Sequence, residues 1–222
     1  MAKYIKGDIH EVIKTIEDAS IDCIYTNPPF GTTHAEWDKS LNWSVLWEDI
    51  WRVLKPNGVA VLHCAMPFTY DLIRESPVNP KYHYCWVKEN STCFFNAKKQ
   101  PLRQHEEILV FYKRQPTYNP QMRGNEVRKA HSHKQESDYY NKDSRTYDPE
   151  SYTHVGRYPT TFLNYKRQLR GGKTVPDEMI EFFIKTYTNE NDSVLDMTCY
   201  SDVVGNVVVG LNRRYTGVDI NL

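Results

Sequence analysis

The chain has 222 residues with 28 basic and 28 acidic side chains, a formal net charge of zero, so any affinity for a polyanion must come from local clustering. That length suits one α/β domain carrying an insert better than two full domains. The five cysteines, Cys23, Cys64, Cys85, Cys93 and Cys199, lack C-x-x-C spacing, which argues against a zinc site and a disulfide framework and leaves no metal expected. No run is long and apolar enough to span a membrane and the first residues hold no signal region, so a soluble cytoplasmic protein is expected.

In chain order, Lys3-Tyr4-Ile5-Lys6-Gly7-Asp8 reads as a short strand, and Val12, Ile13 and Ile16 then recur at helical spacing. Residues 21–25 form an apolar strand that runs into Asn27-Pro28-Pro29-Phe30 and stops. Two consecutive prolines hold φ at about −65° and remove two backbone donors, which makes the turn stiff. A rigid turn at the carboxyl end of such a strand is where open α/β sheets bind ligands. This one offers the Asn27 amide, a Pro28 carbonyl with no competing local donor, and the Phe30 ring. The two oxygens suit the hydrogens of an exocyclic amino group, and the ring suits the heterocycle carrying it. An ordinary proline turn is the plainer alternative for these four residues taken alone.

Residues 31–41 show no period and read as a loop near this turn. A helix over 43–54 places Leu46, Trp47, Ile50, Val53 and Leu54 on one face, and Lys55-Pro56-Asn57-Gly58 ends it. Residues 59–64 are a buried-type strand, followed by a helix begun at Pro67. Strands are expected over 83–87 and 108–112, with an irregular polar connection between them.

The character changes over 113–173, where thirteen Lys and Arg stand against six Asp and Glu, with seven Tyr interleaved. Basic and aromatic residues on a loop-rich insert are what phosphate contact and base stacking require, although a solvated linker has a similar composition. Residues 130–155 are expected to be partly disordered.

Order returns at Pro176-Asp177-Glu178, a helix start with Met179, Ile180, Phe183 and Ile184 along one face. Residues 193–196 make a short strand ending in Asp196, and a Val-rich helix over 203–211 leads to a strand ending in Asp219. Strand, small-residue loop, helix and a second strand ending in an acid make a nucleoside-binding βαβ unit, whose final acid suits ribose hydroxyls.

Taken together, Asn27-Pro28-Pro29-Phe30 and Leu195-Asp196-Met197-Thr198-Cys199-Tyr200-Ser201-Asp202 resemble the catalytic and AdoMet-binding motifs of the DNA amino-methyltransferases. The catalytic motif comes first and the cofactor motif last, with a target-recognition segment between, which resembles the permuted β-class order. Gly7-Asp8, Arg52-Val53-Leu54-Lys55-Pro56-Asn57-Gly58, Asn96-Ala97-Lys98, His105-Glu106-Glu107 and Tyr118-Asn119-Pro120-Gln121-Met122 also look like that family. The resemblance implies a Rossmann-like α/β fold with a mixed, mostly parallel sheet and helices on both faces. It implies one catalytic domain over 1–222 with the target-recognition segment inserted at about 113–173.

It also implies S-adenosyl-L-methionine (AdoMet) as cofactor and double-stranded DNA as partner, with adenine N6 as the favoured acceptor and cytosine N4 as the runner-up. A homodimer and a restriction partner are left open. Asn27, Pro28, Pro29 and Phe30 would be catalytic. Asp8, Lys173, Asp196, Met197, Thr198, Cys199, Tyr200, Ser201 and Asp219 would line the cofactor site, with Asp219 on the ribose and Asp8 on the adenine amine. For Asp8 a helix N-cap is the competing role. Two departures stand out: Tyr200-Ser201-Asp202 replaces the family's Gly-Ser-Gly, and Gly171-Gly172-Lys173-Thr174-Val175-Pro176 lacks the family's histidine. They resemble phage-type members with a remodelled pocket, and a catalytically dead DNA-binding protein is the alternative from another class.

Overall fold

A computed structural model describes residues 1–129, 153–166 and 175–222. In chain order the elements are β1 (Ala2–Lys6), α1 (Ile9–Val12), β2 (Ile21–Thr26), α2 (Trp43–Val53), β3 (Leu54–Cys64), α3 (Phe68–Glu75), β4 (Tyr82–Thr92), β5 (Arg103–Phe111), β6 (Arg123–Lys129), β7 (Thr153–Arg157), β8 (Phe162–Asn164), α4 (Asp177–Tyr187), β9 (Ser193–Asp196), α5 (Val203–Gly210) and β10 (Arg214–Asp219). Eight strands form one sheet in the order β1-β10-β9-β2-β3-β5-β4-β8. β1, β10, β9, β2 and β3 are mutually parallel, β5 is antiparallel to β3 and β4, and β8 is parallel to β4. This is the expected mixed, mostly parallel α/β sheet.

The apolar runs are continuous because the central strands are covered on both sides. Side chains alternate between two cores. Ile24, Ala60, Leu62, Leu109, Phe111 and Leu195 face α1, α2 and α3, meeting Trp43, Leu46, Trp47, Ile50 and Phe68. Their neighbours Cys23, Tyr25, Val59, Val61, Ile108, Val110 and Val194 face α4 and α5, meeting Met179, Phe183, Tyr187 and Val208. Arg52 fastens the start of the chain to α2 by donating to the carbonyls of Ile16 (2.9 Å) and Ile13 (2.8 Å).

Several elements differ from expectation in extent. The first helix is one α turn followed by a 3-10 turn over Ile13–Thr15. β3 begins at Leu54 and passes through Lys55-Pro56-Asn57-Gly58, with its register against β2 shifting between Ile21 and Cys23. β4 and β5 run well past the expected apolar cores, so the irregular connection is instead the outer part of a hairpin.

Within the basic segment, Pro120–Thr160 forms a compact unit of its own, and the other unit comprises Met1–Asn119 and Thr161–Leu222. In the smaller unit β6 and β7 pair antiparallel, with Val127 opposite Val155. β8, which lay inside the expected insert, belongs to the main sheet. Residues 130–152, which include most of the stretch expected to be disordered, lie outside the described residues.

His63 on β3 is fully buried with Nε2 at 2.9 Å from the Tyr25 hydroxyl. Burial, with a smaller contribution from the charge of Lys88, pushes its pKa down to about 3. The unfolded chain binds this proton at a pH of about 6.5 and the folded chain does not, so the stabilisation is complete above that pH and declines as pH falls towards 3. The decline is about 1.4 kcal/mol per pH unit in that window. His63→Gln, which leaves Tyr25 a partner, is expected to narrow the stability gap between pH 7 and pH 4.5 by about 2 kcal/mol in urea unfolding. An unchanged gap would refute the assignment.

Candidate active site

β2 carries the Asn-Pro-Pro-Phe turn out of the sheet. Tyr25 and Thr26 are buried in parallel pairing with Val61 and Leu62, and the chain then turns at Asn27, which is exposed, and Pro28, which is buried. Phe30 is half-buried and stacks on Phe68 at the start of α3, with ring centroids 5.3 Å apart and planes 16° apart. The ring therefore has a fixed backing, which suits it to receive a flat partner.

The loop after Phe30 is held by a residue that sequence reasoning passed over. The Asp38 carboxylate accepts from the backbone amides of Gly31 (2.8 Å), Thr32 (3.0 Å) and Thr33 (2.7 Å). Burial works to raise its pKa, but the Thr33 hydroxyl and these three amides outweigh it and hold the carboxyl below the usual range. Gly31 takes φ of +65°, and a Cβ there would lie 3.1 Å from that of Ser40. Asp38 thus fixes the chain leaving the catalytic turn. An acid seven residues after a glycine, in a loop rich in Thr, is the one signal that pointed to it.

The second motif leaves the sheet one strand away, because β9 pairs with β2. Asp196 is buried at the end of β9. Its carboxylate accepts from Thr26 Oγ1 (2.9 Å), the Thr198 amide (3.2 Å) and the Tyr215 hydroxyl (3.3 Å). Thr26 Oγ1 also lies 2.9 Å from Thr198 Oγ1. The residue immediately before Asn27 is therefore bonded to the start of the cofactor-type loop, at Asp196 and Thr198. Asp196 faces inward and organises the loop.

The other predicted positions fall around this loop. Met197 and Cys199 are buried, Thr198 and Ser201 are half-buried, and Tyr200 is exposed at 64%. Burial, followed by the charges of Asp196 and Asp219, pushes the Cys199 thiol up to about 12, so it is a poor nucleophile. Asp219 ends β10 and its Oδ2 accepts from the Tyr200 amide at 3.0 Å. Asp8 is the N-cap of α1, its Oδ1 accepting from the His10 amide at 2.9 Å, and this is the capping role weighed against adenine contact. Lys173 lies outside the described residues.

Tyr200 has φ of +42°, in the left-handed region. The backbone thus keeps the conformation for which glycine is suited, and a tyrosine adopts it at a cost of about 1 kcal/mol. Its exposed ring turns outward instead of filling the loop. Tyr200→Gly is expected to leave stability unchanged or raise it by up to about 1 kcal/mol, because strain relief offsets the added freedom of the unfolded chain. A loss above about 1 kcal/mol in urea unfolding would show that the ring is packed after all.

Gly205, in the first turns of α5, was also missed. A Cβ there would lie 2.3 Å from the Tyr4 hydroxyl and 2.8 Å from Tyr215 Cε1, so its absence lets the helix sit close on β1 and β10. It is the third glycine of the nucleotide-binding pattern, retained although the first two are replaced.

Comparisons with known proteins bear on this arrangement. A family model described as DNA methylase (N6_N4_Mtase) matches residues 21–222. The type II methyltransferase M.BglII of Bacillus subtilis is 25% identical over 238 residues, a match covering 98% of this chain and 65% of that protein. M.HpaI of Haemophilus parainfluenzae, also a type II methyltransferase, is 26% identical over 228 residues, covering 95% and 68%. The chain thus spans about two thirds of the length of these curated relatives. Among solved structures, PvuII DNA methyltransferase (cytosine-N4-specific) superposes with a TM-score of 0.68 at 16% identity, covering 99% of this chain and 82% of that one. A putative DNA modification methylase from Thermus thermophilus, complexed with S-adenosyl-L-methionine, gives 0.65 at 16% identity, covering 99% and 88%. At that identity the structural likeness speaks for the fold alone.

AdoMet is the cofactor of the family, and the loop between β9 and α5 fits it on an observation of its own. Ser201 Oγ is buried with no partner among the described residues, and a polar ligand group would satisfy it. With Asp219 at the end of the next strand and Gly205 bringing α5 close, the residues present are those of a nucleoside site. The chain belongs to the N6/N4 DNA methylase family.

Proposed function

We propose that the chain is an AdoMet-dependent DNA methyltransferase that methylates an exocyclic base amine in a specific duplex site, adenine N6 first and cytosine N4 second. The observation that carries this reading is the Thr26 hydroxyl, bonded to Asp196 and beside Thr198. It sets the Asn-Pro-Pro-Phe turn against the cofactor-type loop, as transfer between two bound groups requires.

An exocyclic amine is a poor nucleophile because its lone pair is delocalised into the ring. Asn27 Oδ1 and the Pro28 carbonyl accept its two hydrogens, which favours the pyramidal form as positive charge builds on nitrogen. Phe30, backed by Phe68, stacks on the base once it has left the duplex. AdoMet, when bound, would supply the methyl group from its sulfonium and leave as the neutral thioether, while the methylated nitrogen gives up one proton to solvent. Thr198, Ser201 and Asp219 would hold it, with Asp196 fixing the loop. No protein nucleophile is needed, in keeping with the high pKa of Cys199.

The basic segment, which carries the β6–β7 pair, is proposed as the target-recognition element. Arg123, Arg128, His154 and Arg157 are among the side chains β6 and β7 present there. The test is transfer from methyl-labelled AdoMet to unmethylated duplex DNA, followed by digestion to nucleosides. Label in N6-methyldeoxyadenosine supports the first choice, and label in N4-methyldeoxycytidine moves the acceptor to cytosine. A protein that binds DNA but neither binds AdoMet nor transfers label is a dead methyltransferase fold.

A further inference from the structure

The β4–β5 hairpin outruns the rest of the sheet. β3 ends at Cys64, opposite Glu107, whereas β5 continues back to Arg103, opposite Thr92 of β4. Four residues at about 3.3 Å each carry the arm about 13 Å past the end of β3. β2 is parallel to β3, with Thr26 opposite Leu62, so this is the end of the sheet at which Asn27 emerges.

The arm is braced against the start of α3, which backs the Asn-Pro-Pro-Phe turn. Arg103 donates to the Met66 carbonyl at 2.7 Å, and Thr69 Oγ1 donates to Glu107 at 2.6 Å. Phe68, between those two anchor points, is the ring on which Phe30 stacks. At the tip Cys93 takes φ of +66°, and the following 3-10 turn, Phe94–Asn96, directs two aromatic rings into solvent. Phe94 is 76% exposed and Phe95 is fully exposed. From Cys93 to Arg103 the chain carries Lys98, Lys99 and Arg103 and no acid.

Two adjacent phenylalanines on a braced, basic arm have no apolar partner among the described residues. The charge around them suits a polyanion, and flat apolar rings suit the space between stacked base pairs. We propose that the tip of this hairpin is a wedge: Phe94 and Phe95 enter the base stack of the target duplex and fill the space left by the base that swings out towards Asn27, while Lys98 and Lys99 lie on flanking phosphates. The proposal rests on the DNA methyltransferase reading and adds how that enzyme opens its substrate. Extruding a paired base costs unstacking and unpairing, and a side chain that replaces it in the stack lowers that cost.

The test uses the full chain. The target site is first mapped by sequencing DNA the wild type has methylated, then built into oligonucleotide duplexes with the target base either paired or mispaired. The double variant Phe94→Ala/Phe95→Ala is expected to lose at least about tenfold in kcat/KM on the paired duplex. On the mispaired duplex, where extrusion is already cheap, it should stay within about threefold of wild type. Both rings are exposed, so thermal unfolding and AdoMet titration should match wild type and exclude a folding defect. Wild-type rates on the paired duplex would overturn the wedge. So would an equal loss on both duplexes, which would make the rings a general contact. A wild type that binds AdoMet but methylates no DNA would remove the DNA methyltransferase reading itself, and the wedge with it.

Discussion

Asn27→Ala is expected to cut methyl transfer by about 10²–10³-fold or more while AdoMet affinity stays within about threefold. The side chain is exposed, and among the described residues no hydrogen bond of the fold depends on it, so stability should move by no more than about 0.5 kcal/mol. Its proposed work is confined to the moment when the amine pyramidalises, which is why kcat falls and cofactor binding does not. Single-turnover transfer from labelled AdoMet, beside calorimetric titration of the same preparation, separates the two quantities. Unchanged transfer would sink the catalytic assignment of the whole Asn-Pro-Pro-Phe turn. Lost AdoMet binding would show instead that Asn27 belongs to the cofactor site.

The second large effect is expected at Asp196. Asp196→Ala leaves the Thr26 hydroxyl, the Thr198 amide and the Tyr215 hydroxyl without their shared acceptor, the two hydroxyls in a buried setting and the amide in a half-buried one. Unsatisfied buried donors cost about 1–3 kcal/mol each, and Thr26 keeps Thr198 as an alternative partner, so a loss of about 3 kcal/mol is expected. AdoMet affinity should fall by at least about tenfold because the loop loses its anchor. Asp196→Asn keeps an acceptor for Thr26 and can donate to the Tyr215 oxygen, so it should cost only about 1 kcal/mol. Urea unfolding of the pair reads the difference. Equal, small losses in both variants would mean that the carboxylate contacts ligand and contributes little to the fold.

The parts of the fold that were legible are those where burial imposes a pattern. Residues 21–25, 59–64 and 193–196 are strands covered on both faces, so they read as apolar runs; prolines or a glycine mark the ends of the first two, and the polar run 189–192 marks the start of the third. The outer parts of β4 and β5 carry Lys88, Glu89, Asn90, Gln104 and His105, with no apolar alternation to mark a strand. β6 and β7 escaped notice for a related reason, since Val127 and Val155 are both exposed and their neighbours are basic or polar. The loop departures were visible, but their consequence was not. A tyrosine in place of glycine suggests crowding when read as a side chain, whereas Tyr200 adopts the glycine conformation and turns outward. Asp196 read as a ligand contact because its spacing matches the motif; its inward hydrogen bonds depend on Thr26, 170 residues away in sequence.

That single hydroxyl has a thermodynamic consequence. Thr26 touches the cofactor-type loop through Asp196 and Thr198 and is covalently joined to Asn27. On the proposed function, a shift of the loop on filling would be felt one residue from the group that receives the base. Linkage is reciprocal: whatever factor the donor adds to the affinity for an extruded base, the base must add to the affinity for the donor. On the proposed function the demethylated product would occupy the same loop, so the affinities for it and for the methylated base would be coupled in the same way.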